Sequence, residues 1–418
     1  MNTFHTLDCP PVSVGVNQLH LASGSNPAIP LDWPLMVNNV TRSDLDQLIA
    51  HLQQSNPRLT HGPAVRAFEK EWAAWTGTKY CVMLNSGASA NELTMLALRT
   101  LKGDGEVIVP PLTWVSDIAS VIRAGLTPVF ADVDQTTLGM DTEEILKKIT
   151  PRTRAVFLTH ILGYNALTCR LLDELARLGI PLIEDVCESH GATFEGRRCG
   201  SWGWASNFSF YYAHHLSTIE GGCVCTNDEL MYETVRMMRS HGMTREIDNP
   251  AMRANWAARH PDLNPDFIFA HAAFNMRATE LQGVLGLAQL PRLDANNKKR
   301  GENLRAFLTG LDSARFFTEF DQNGSSNYAF TLILRQPDFA LRDRIETALR
   351  GAAVEFRRGT SGGGNQLRQP YMRQRFPNIS PQDYPRVDHI HFFGWYIGNY
   401  PDLDATLIPR LCALVNAA

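Results

Sequence analysis

Between residues 80 and 185 short apolar runs alternate with amphipathic stretches of about ten residues. That alternation restricts the chain to an α/β fold with a large, mostly parallel sheet. The runs are 80–84, 106–109, 128–131, 155–158 and 182–185, and the helical stretches are 88–101, 116–124, 142–149 and 169–178. In such sheets ligands bind beyond the carboxyl ends of the strands, so chemistry is expected just after each run. Upstream, residues 41–55 carry a Thr41 cap and helical spacing, and residues 69–76 continue as helix. Downstream, a helix over 289–300 leads to a strand at 328–334, a helix at 340–350 and a strand at 354–356. The predicted division is an N-terminal arm over 1–40, a large domain over 41–290 and a smaller C-terminal α/β domain over 291–418.

Thirty-nine basic residues against 43 acidic ones give a net charge of −4 with no block of like charge, which argues against nucleic acid or a membrane surface as partner. The first residues lack the basic and apolar regions of a leader, and no run of 18 apolar residues occurs, so a cytoplasmic protein is expected. The eight cysteines are mostly scattered singly through apolar stretches, as in a reduced protein. Cys223 and Cys225 read as alternating positions of one buried strand, and no metal is assigned.

Four places carry candidate chemistry. After the run ending at Leu84, residues 85–91 (Asn-Ser-Gly-Ala-Ser-Ala-Asn) enter a helix with small side chains, which suits an anion at the helix N-terminus and equally suits a plain cap. Trp114 follows the next run, either as a stacking face or as a buried structural ring. Asp185 ends its run where a carboxylate can hold a protonated ring nitrogen, with Glu188 and His190 beside it, though a solvated turn has the same composition. Last, His214 and His215 lie between two strands ahead of Glu220-Gly221-Gly222, an unusual choice for a core.

Together with Ser209, this order of anion cradle, aromatic, strand-end aspartate and hydroxyl resembles the DegT/StrS family of sugar-nucleotide aminotransferases, which are fold-type I pyridoxal-phosphate enzymes. The resemblance runs from about residue 59 to 398. It rests on Ser-Gly-Ala-Ser-Ala-Asn at 86–91, Pro-Val-Phe-Ala-Asp-Val-Asp at 128–134, Ile-Glu-Asp-Val-Cys-Glu-Ser-His-Gly-Ala at 183–192 and Phe-Asn-Met-Arg-Ala-Thr-Glu-Leu-Gln-Gly at 274–283. Family aminotransferases place a lysine, which binds the cofactor covalently, five residues after that serine. Here the position is His214, and no lysine occurs between Lys148 and Lys298.

Histidine at this position marks the family's 3-dehydratases. One branch acts on a CDP-linked 4-keto-6-deoxyglucose and carries an iron–sulfur cluster; the other acts on GDP-4-keto-6-deoxymannose without one. The absence of cysteine between Cys225 and Cys412 favours the second branch, as do residues 239–245 (Arg-Ser-His-Gly-Met-Thr-Arg) and the Gly-Trp-Tyr-Ile-Gly-Asn at 394–399. Ala273-Phe274 before Asn275 departs from the family's Gly-Tyr.

The resemblance implies that pyridoxal or pyridoxamine phosphate binds without a covalent bond and without an iron–sulfur cluster. Gly87, Ala88 and Ser209 would hold the phosphate, with Asn275 reaching it from a partner subunit. Trp114 would stack on the ring, Asp185 would pair with its nitrogen, Glu188 would bind its edge, and His214 would be the base. His241 and Arg245 would lie near the substrate of a homodimer with shared sites; an interdomain cap is the plainer reading of Asn275 and Arg277. The implied activity is loss of the C3 hydroxyl from a nucleotide-linked 4-keto-6-deoxyhexose, GDP-4-keto-6-deoxymannose favoured. L-glutamate would serve as amino donor, and a 3-deoxy-4-keto sugar and ammonia would be released. The alternatives are a sugar aminotransferase, a dehydratase on a differently activated sugar, and a catalytically dead cofactor-binding regulator.

Overall fold

The structure is a computed structural model, described for residues 30–418. Helices α1 (Arg42–Leu52) and α2 (Pro63–Thr76) precede the large sheet. Its strands and crossovers follow as β1 (Tyr80–Leu84), α3 (Gly87–Lys102), β2 (Glu106–Val109), α4 (Val115–Arg123), β3 (Thr127–Phe130), α5 (Thr142–Lys148), β4 (Thr153–Thr159), α6 (Cys169–Leu178) and β5 (Leu182–Asp185). After a hairpin of β6 (Thr193–Phe194) and β7 (Arg197–Arg198) come β8 (Ala205–Ser209) and β9 (Gly222–Thr226). The sheet runs β1-β9-β8-β5-β4-β2-β3. Only β9 is antiparallel to its neighbours, so β2, β5 and β8 all end at one edge. Helices on both faces explain why these strands are continuous apolar runs rather than alternating ones.

Helices α7 (Glu229–Arg239), α8 (Pro250–Arg259), α9 (Glu280–Gln289) and α10 (Leu293–Gly310) lead to a second sheet. It is built from β10 (Ala329–Ile333), α11 (Phe339–Gly351), β11 (Phe356–Arg358), α12 (Pro370–Arg375), α13 (Pro385–Phe393), β12 (Gly394–Gly398) and α14 (Ile408–Ala417). Its order is β10-β12-β11, antiparallel throughout. Among the described residues no helix is long and apolar enough to cross a membrane.

Several elements differ from the sequence reading. The helix expected at 69–76 begins at Pro63, whose fixed φ and missing N–H suit a first helical turn. The single helix expected over 289–300 is interrupted: α9 stops at Gln289, Pro291 forces one tight turn, and α10 runs on to Gly310. The strand expected at 354–356 lies two residues later, because Val354 instead pairs with Trp33.

The expected arm over 1–40 falls partly outside the described residues, and its described part is packed in place. Leu31 and Trp33 donate backbone N–H groups to Ala352 and Ala353, and the buried Trp33 indole donates to the Gly398 carbonyl at 2.9 Å. In the large sheet Cys81 faces Cys225 in register. Their sulfurs and that of Cys223 lie within 4.8 Å of one another in the buried core.

Candidate active site

Strand β1 delivers the chain to Ser86, which caps α3 by accepting from the Ser89 N–H at 3.1 Å. The Gly87 and Ala88 N–H groups lie in the first turn, ahead of any carbonyl four residues back. The end of β8 lies against this turn: a Cβ on Gly87 would stand 2.4 Å from the Ser209 Cβ. One on Gly222 would stand 2.4 to 2.5 Å from the Ser86 carbonyl group and the Gly87 nitrogen. The absent side chains let two backbones and a hydroxyl close on one small space, a donor set suited to a phosphate.

The neighbouring strand ends complete the site. Trp114 leads into α4 with 59% of its surface exposed, so the buried structural reading fails for it. Asp185 ends β5 nearly buried, its Oδ1 accepting from the Cys187 N–H at 2.8 Å and its Oδ2 from Asn91 Nδ2 at 3.0 Å. Glu188 is held between two segments, accepting from the Leu162 N–H at 3.0 Å and from the Ser361 hydroxyl at 2.8 Å. Burial pushes its carboxyl up to about 7.

His214 sits in the turn after β8, its ring 5.9 Å from His190 and 5.8 Å from Tyr328. Its Nδ1 is shut away from solvent with no partner, although the residue as a whole is only half-buried. Asn39 anchors its backbone, donating to the His214 carbonyl at 2.6 Å. Burial first and the Arg300 guanidinium second hold the imidazole down to about 3, so at neutral pH it is an uncharged base. Imidazolium is costly there. Arg300 is itself buried and donates to the Tyr328 and Asn399 carbonyls. His215 shares the ring neighbours of His214, lying 5.5 Å from His190 and 5.7 Å from Tyr328, but it is 3% exposed and has a partner, Nε2 standing 3.2 Å from the Ser326 carbonyl.

His61, His190 and His215 are also held uncharged, chiefly by burial. With His214 they bind fewer protons when folded than when unfolded below the ordinary histidine range, so their share of stability is lost as pH falls from about 6.5 toward about 3. Glu188 works oppositely, its protonated form adding stability that fades as pH rises through about 7. Thermal melts should therefore show Tm falling on acidification below about pH 6.5. A flat Tm across that interval would mean the histidines are not buried uncharged.

The structure thus gathers Gly87, Ala88, Trp114, Asp185, Glu188, Ser209 and His214 at one sheet edge. It places His241, Arg245 and Asn275 in a second group. Ser240 bridges Asn275, His241 N–H donates to the Phe274 carbonyl, and the exposed Arg245 lies over the Phe267 ring. The Asn275 side chain accepts from the Arg277 N–H. Asn39, Asp117, Arg300 and Tyr328 escaped the sequence reading as site residues, and Asn91 figured there only as the end of the small-residue turn. Asp117 looks there like an ordinary acid in a helix's first turn, and Asn39, Arg300 and Tyr328 carry no local motif.

The residues fit a phosphorylated, ring-protonated aromatic cofactor. Free helix N–H groups and a hydroxyl meet where added Cβ atoms would collide, a carboxylate waits at the next strand end, and an aromatic face is open.

The chain matches the model of the DegT/DnrJ/EryC1/StrS aminotransferase family over residues 40–415. It is 30% identical to the GDP-4-keto-6-deoxy-D-mannose 3-dehydratase of Yersinia pseudotuberculosis over 386 residues, 89% of this chain and 95% of that one. Its fold matches the E. coli GDP-4-keto-6-deoxy-D-mannose 3-dehydratase with bound hydrated PLP, with a TM-score of 0.84 and 26% identity, covering 93% of this chain and all of that one. A structure of GDP-4-keto-6-deoxymannose 3-dehydratase with a trapped PLP-glutamate geminal diamine matches with a TM-score of 0.81 and 26% identity, covering 92% and 100%.

Proposed function

Since the chain belongs to the DegT/DnrJ/EryC1/StrS aminotransferase family, we propose that it is a pyridoxal-phosphate-dependent 3-dehydratase of a nucleotide-linked 4-keto-6-deoxyhexose, with GDP-4-keto-6-deoxymannose as the favoured substrate. The observation that carries this reading is His214, an uncharged base where family aminotransferases hold a lysine. L-glutamate is the amino donor, and a 3-deoxy-4-keto sugar and ammonia are the products.

When bound, the cofactor supplies an amine that condenses with the sugar's ketone and a ring that takes up an electron pair. The α3 N-terminus at Gly87 and Ala88, with Ser209, would hold its phosphate. Trp114 would cover one ring face, and Asp185 would keep the ring nitrogen protonated. Glu188, fixed by Leu162 and Ser361, stands at the ring edge. His214 would be the base that moves a proton at the cofactor's C4′, the transfer that would let the C3 hydroxyl leave. With His214 at the family's lysine position, the chain offers no lysine there to hold the cofactor covalently or to displace an aminated sugar. Mass spectrometry of products from a panel of nucleotide 4-keto-6-deoxy sugars with glutamate is the test. A 3-deoxy-4-keto product supports the reading, and an amino sugar as the main product overturns it.

Borohydride treatment of the pyridoxal-loaded protein is expected to leave no cofactor mass on any peptide. A stable adduct on a lysine peptide would sink the non-covalent assignment.

The working unit we propose is a cytoplasmic homodimer in which His241, Arg245 and Asn275 serve the partner's site, each chain divided near residue 290. Supporting it, these residues stand among exposed aromatic rings at Phe267, Phe269 and Phe274, the last 72% exposed. Mixing inactive His214 and Asn275 variants should restore activity; a fully active monomer would refute shared sites.

A further inference from the structure

Behind Asp185 lies a second carboxyl that the reaction as described does not use. Asp117, in the first turn of α4, is 1% exposed, and Asp185 is 4% exposed. The two are joined through Asn91 on α3, whose Nδ2 stands 2.7 Å from Asp117 Oδ1 and 3.0 Å from Asp185 Oδ2. Ser116 Oγ is a third acceptor for the same nitrogen at 3.1 Å, yet an amide has two hydrogens to give. Neither carboxyl has an ion-pair partner among the described residues. Two acids gathered on one amide, out of water and without a cation, cannot both be ionised, so one keeps a proton.

Their other partners decide which one. Asp185 Oδ1 receives the Cys187 backbone N–H, a group that can only donate and so favours the charged form. Asp117 Oδ2 is flanked by the hydroxyls of Thr113 at 2.5 Å and Thr159 at 2.7 Å, which lie 3.3 Å from each other. Hydroxyls accept as readily as they donate, so this pair tolerates a protonated acid. The Cys187 thiol and the Tyr371 phenol also lie near Asp117, both neutral because burial pushes them up, and Glu188, raised chiefly by burial, lies near Asp185.

We propose that Asp117 is a positioning residue that carries the proton of a two-carboxyl unit, fixing Asp185 as its charged member and holding it in place through Asn91. The proposal rests on the cofactor role given to Asp185 above. Burial, followed by the Asp185 charge, pushes the Asp117 carboxyl well above the ordinary range, in agreement with the geometry. The unit gives Asp185 one full negative charge, aimed at the ring nitrogen without a competing charge behind it. It also keeps the aspartate from swinging, because the threonines, asparagine and Cys187 amide hold both carboxyls by hydrogen bonds.

Asparagine imitates a protonated aspartic acid, and alanine removes the hydrogen-bonding partner. Asp117→Ala should weaken pyridoxal-phosphate binding by about tenfold, and Asp117→Asn should restore it to within about threefold of the unchanged protein. A purely electrostatic role for an ionised Asp117 predicts that Asn is as poor as Ala, and that result overturns the proposal. The second measurement needs neither turnover nor the alanine variant. The infrared difference between the unchanged protein and Asp117→Asn, near neutral pH with and without cofactor, should show loss of a protonated-carboxyl C=O band. Loss of an ionised-carboxylate band instead refutes the protonated assignment even if Asp117→Ala fails to fold. Because the band does not depend on the sugar product, a failure of the dehydratase reading leaves this result standing and is told apart from it.

Discussion

His214→Asn is expected to cut dehydration by about 10²- to 10⁴-fold while the protein stays folded and binds its cofactor, because an amide is no base near neutral pH. His214→Lys should behave differently, since a lysine can hold the cofactor covalently and displace an amine. Its products should shift from the 3-deoxy ketone toward an amino sugar. His215 is the control that the structure sharpens. Its ring is buried, with Nε2 engaged by the Ser326 carbonyl, whereas the His214 Nδ1 has no partner. His215→Asn should therefore cost stability, about 1–3 kcal/mol, more than it costs turnover. Initial rates and product mass spectra for the three variants check all of this. If His215→Asn lost dehydration while His214→Asn kept it, the base would be misassigned.

The second large effect is expected at Asp185. Removing one member of a buried charge pair costs about 3–5 kcal/mol, so Asp185→Ala should weaken cofactor binding by about 10²- to 10⁴-fold. Asn91 and the Cys187 amide would lose their acceptor at the same time, so spectroscopic titration with pyridoxal phosphate should show the loss directly. Binding within about threefold of the unchanged protein would mean that Asp185 does not face the ring nitrogen.

The large sheet was legible because its strands are buried on both faces and leave unbroken apolar runs, from Tyr80–Leu84 to Leu182–Asp185. The strand-end rule then pointed to Trp114, Asp185 and the Ser86–Gly87 turn, and the structure brings these to one edge. What stayed hidden depends on contacts between distant segments. Asp117 gains meaning only when Asn91 and Asp185, 26 and 68 residues away, are folded against it. Strand β12 is five residues long with glycine at each end, and it becomes a central strand only because β10 and β11 flank it. Trp33 falls in a stretch without periodicity, and its burial is decided by the second sheet. Resemblance to a family, rather than periodicity, singled out His214 over His215.

The segment from Leu31 to Asn39 can be regarded as a belt. At one end it is laced to the second sheet through Ala352, Ala353 and Glu355, and at the other Asn39 holds the carbonyl of His214 while its own carbonyl accepts from Arg292. Two fastening points about 140 residues apart in the chain, His214 and Ala352–Glu355, are thus joined across nine residues. Amide hydrogen exchange along this belt becomes a native reporter of the site, because whatever steadies the His214 turn also slows the opening of the buckle. Occupancy could then be followed by watching backbone amides that never touch cofactor or sugar.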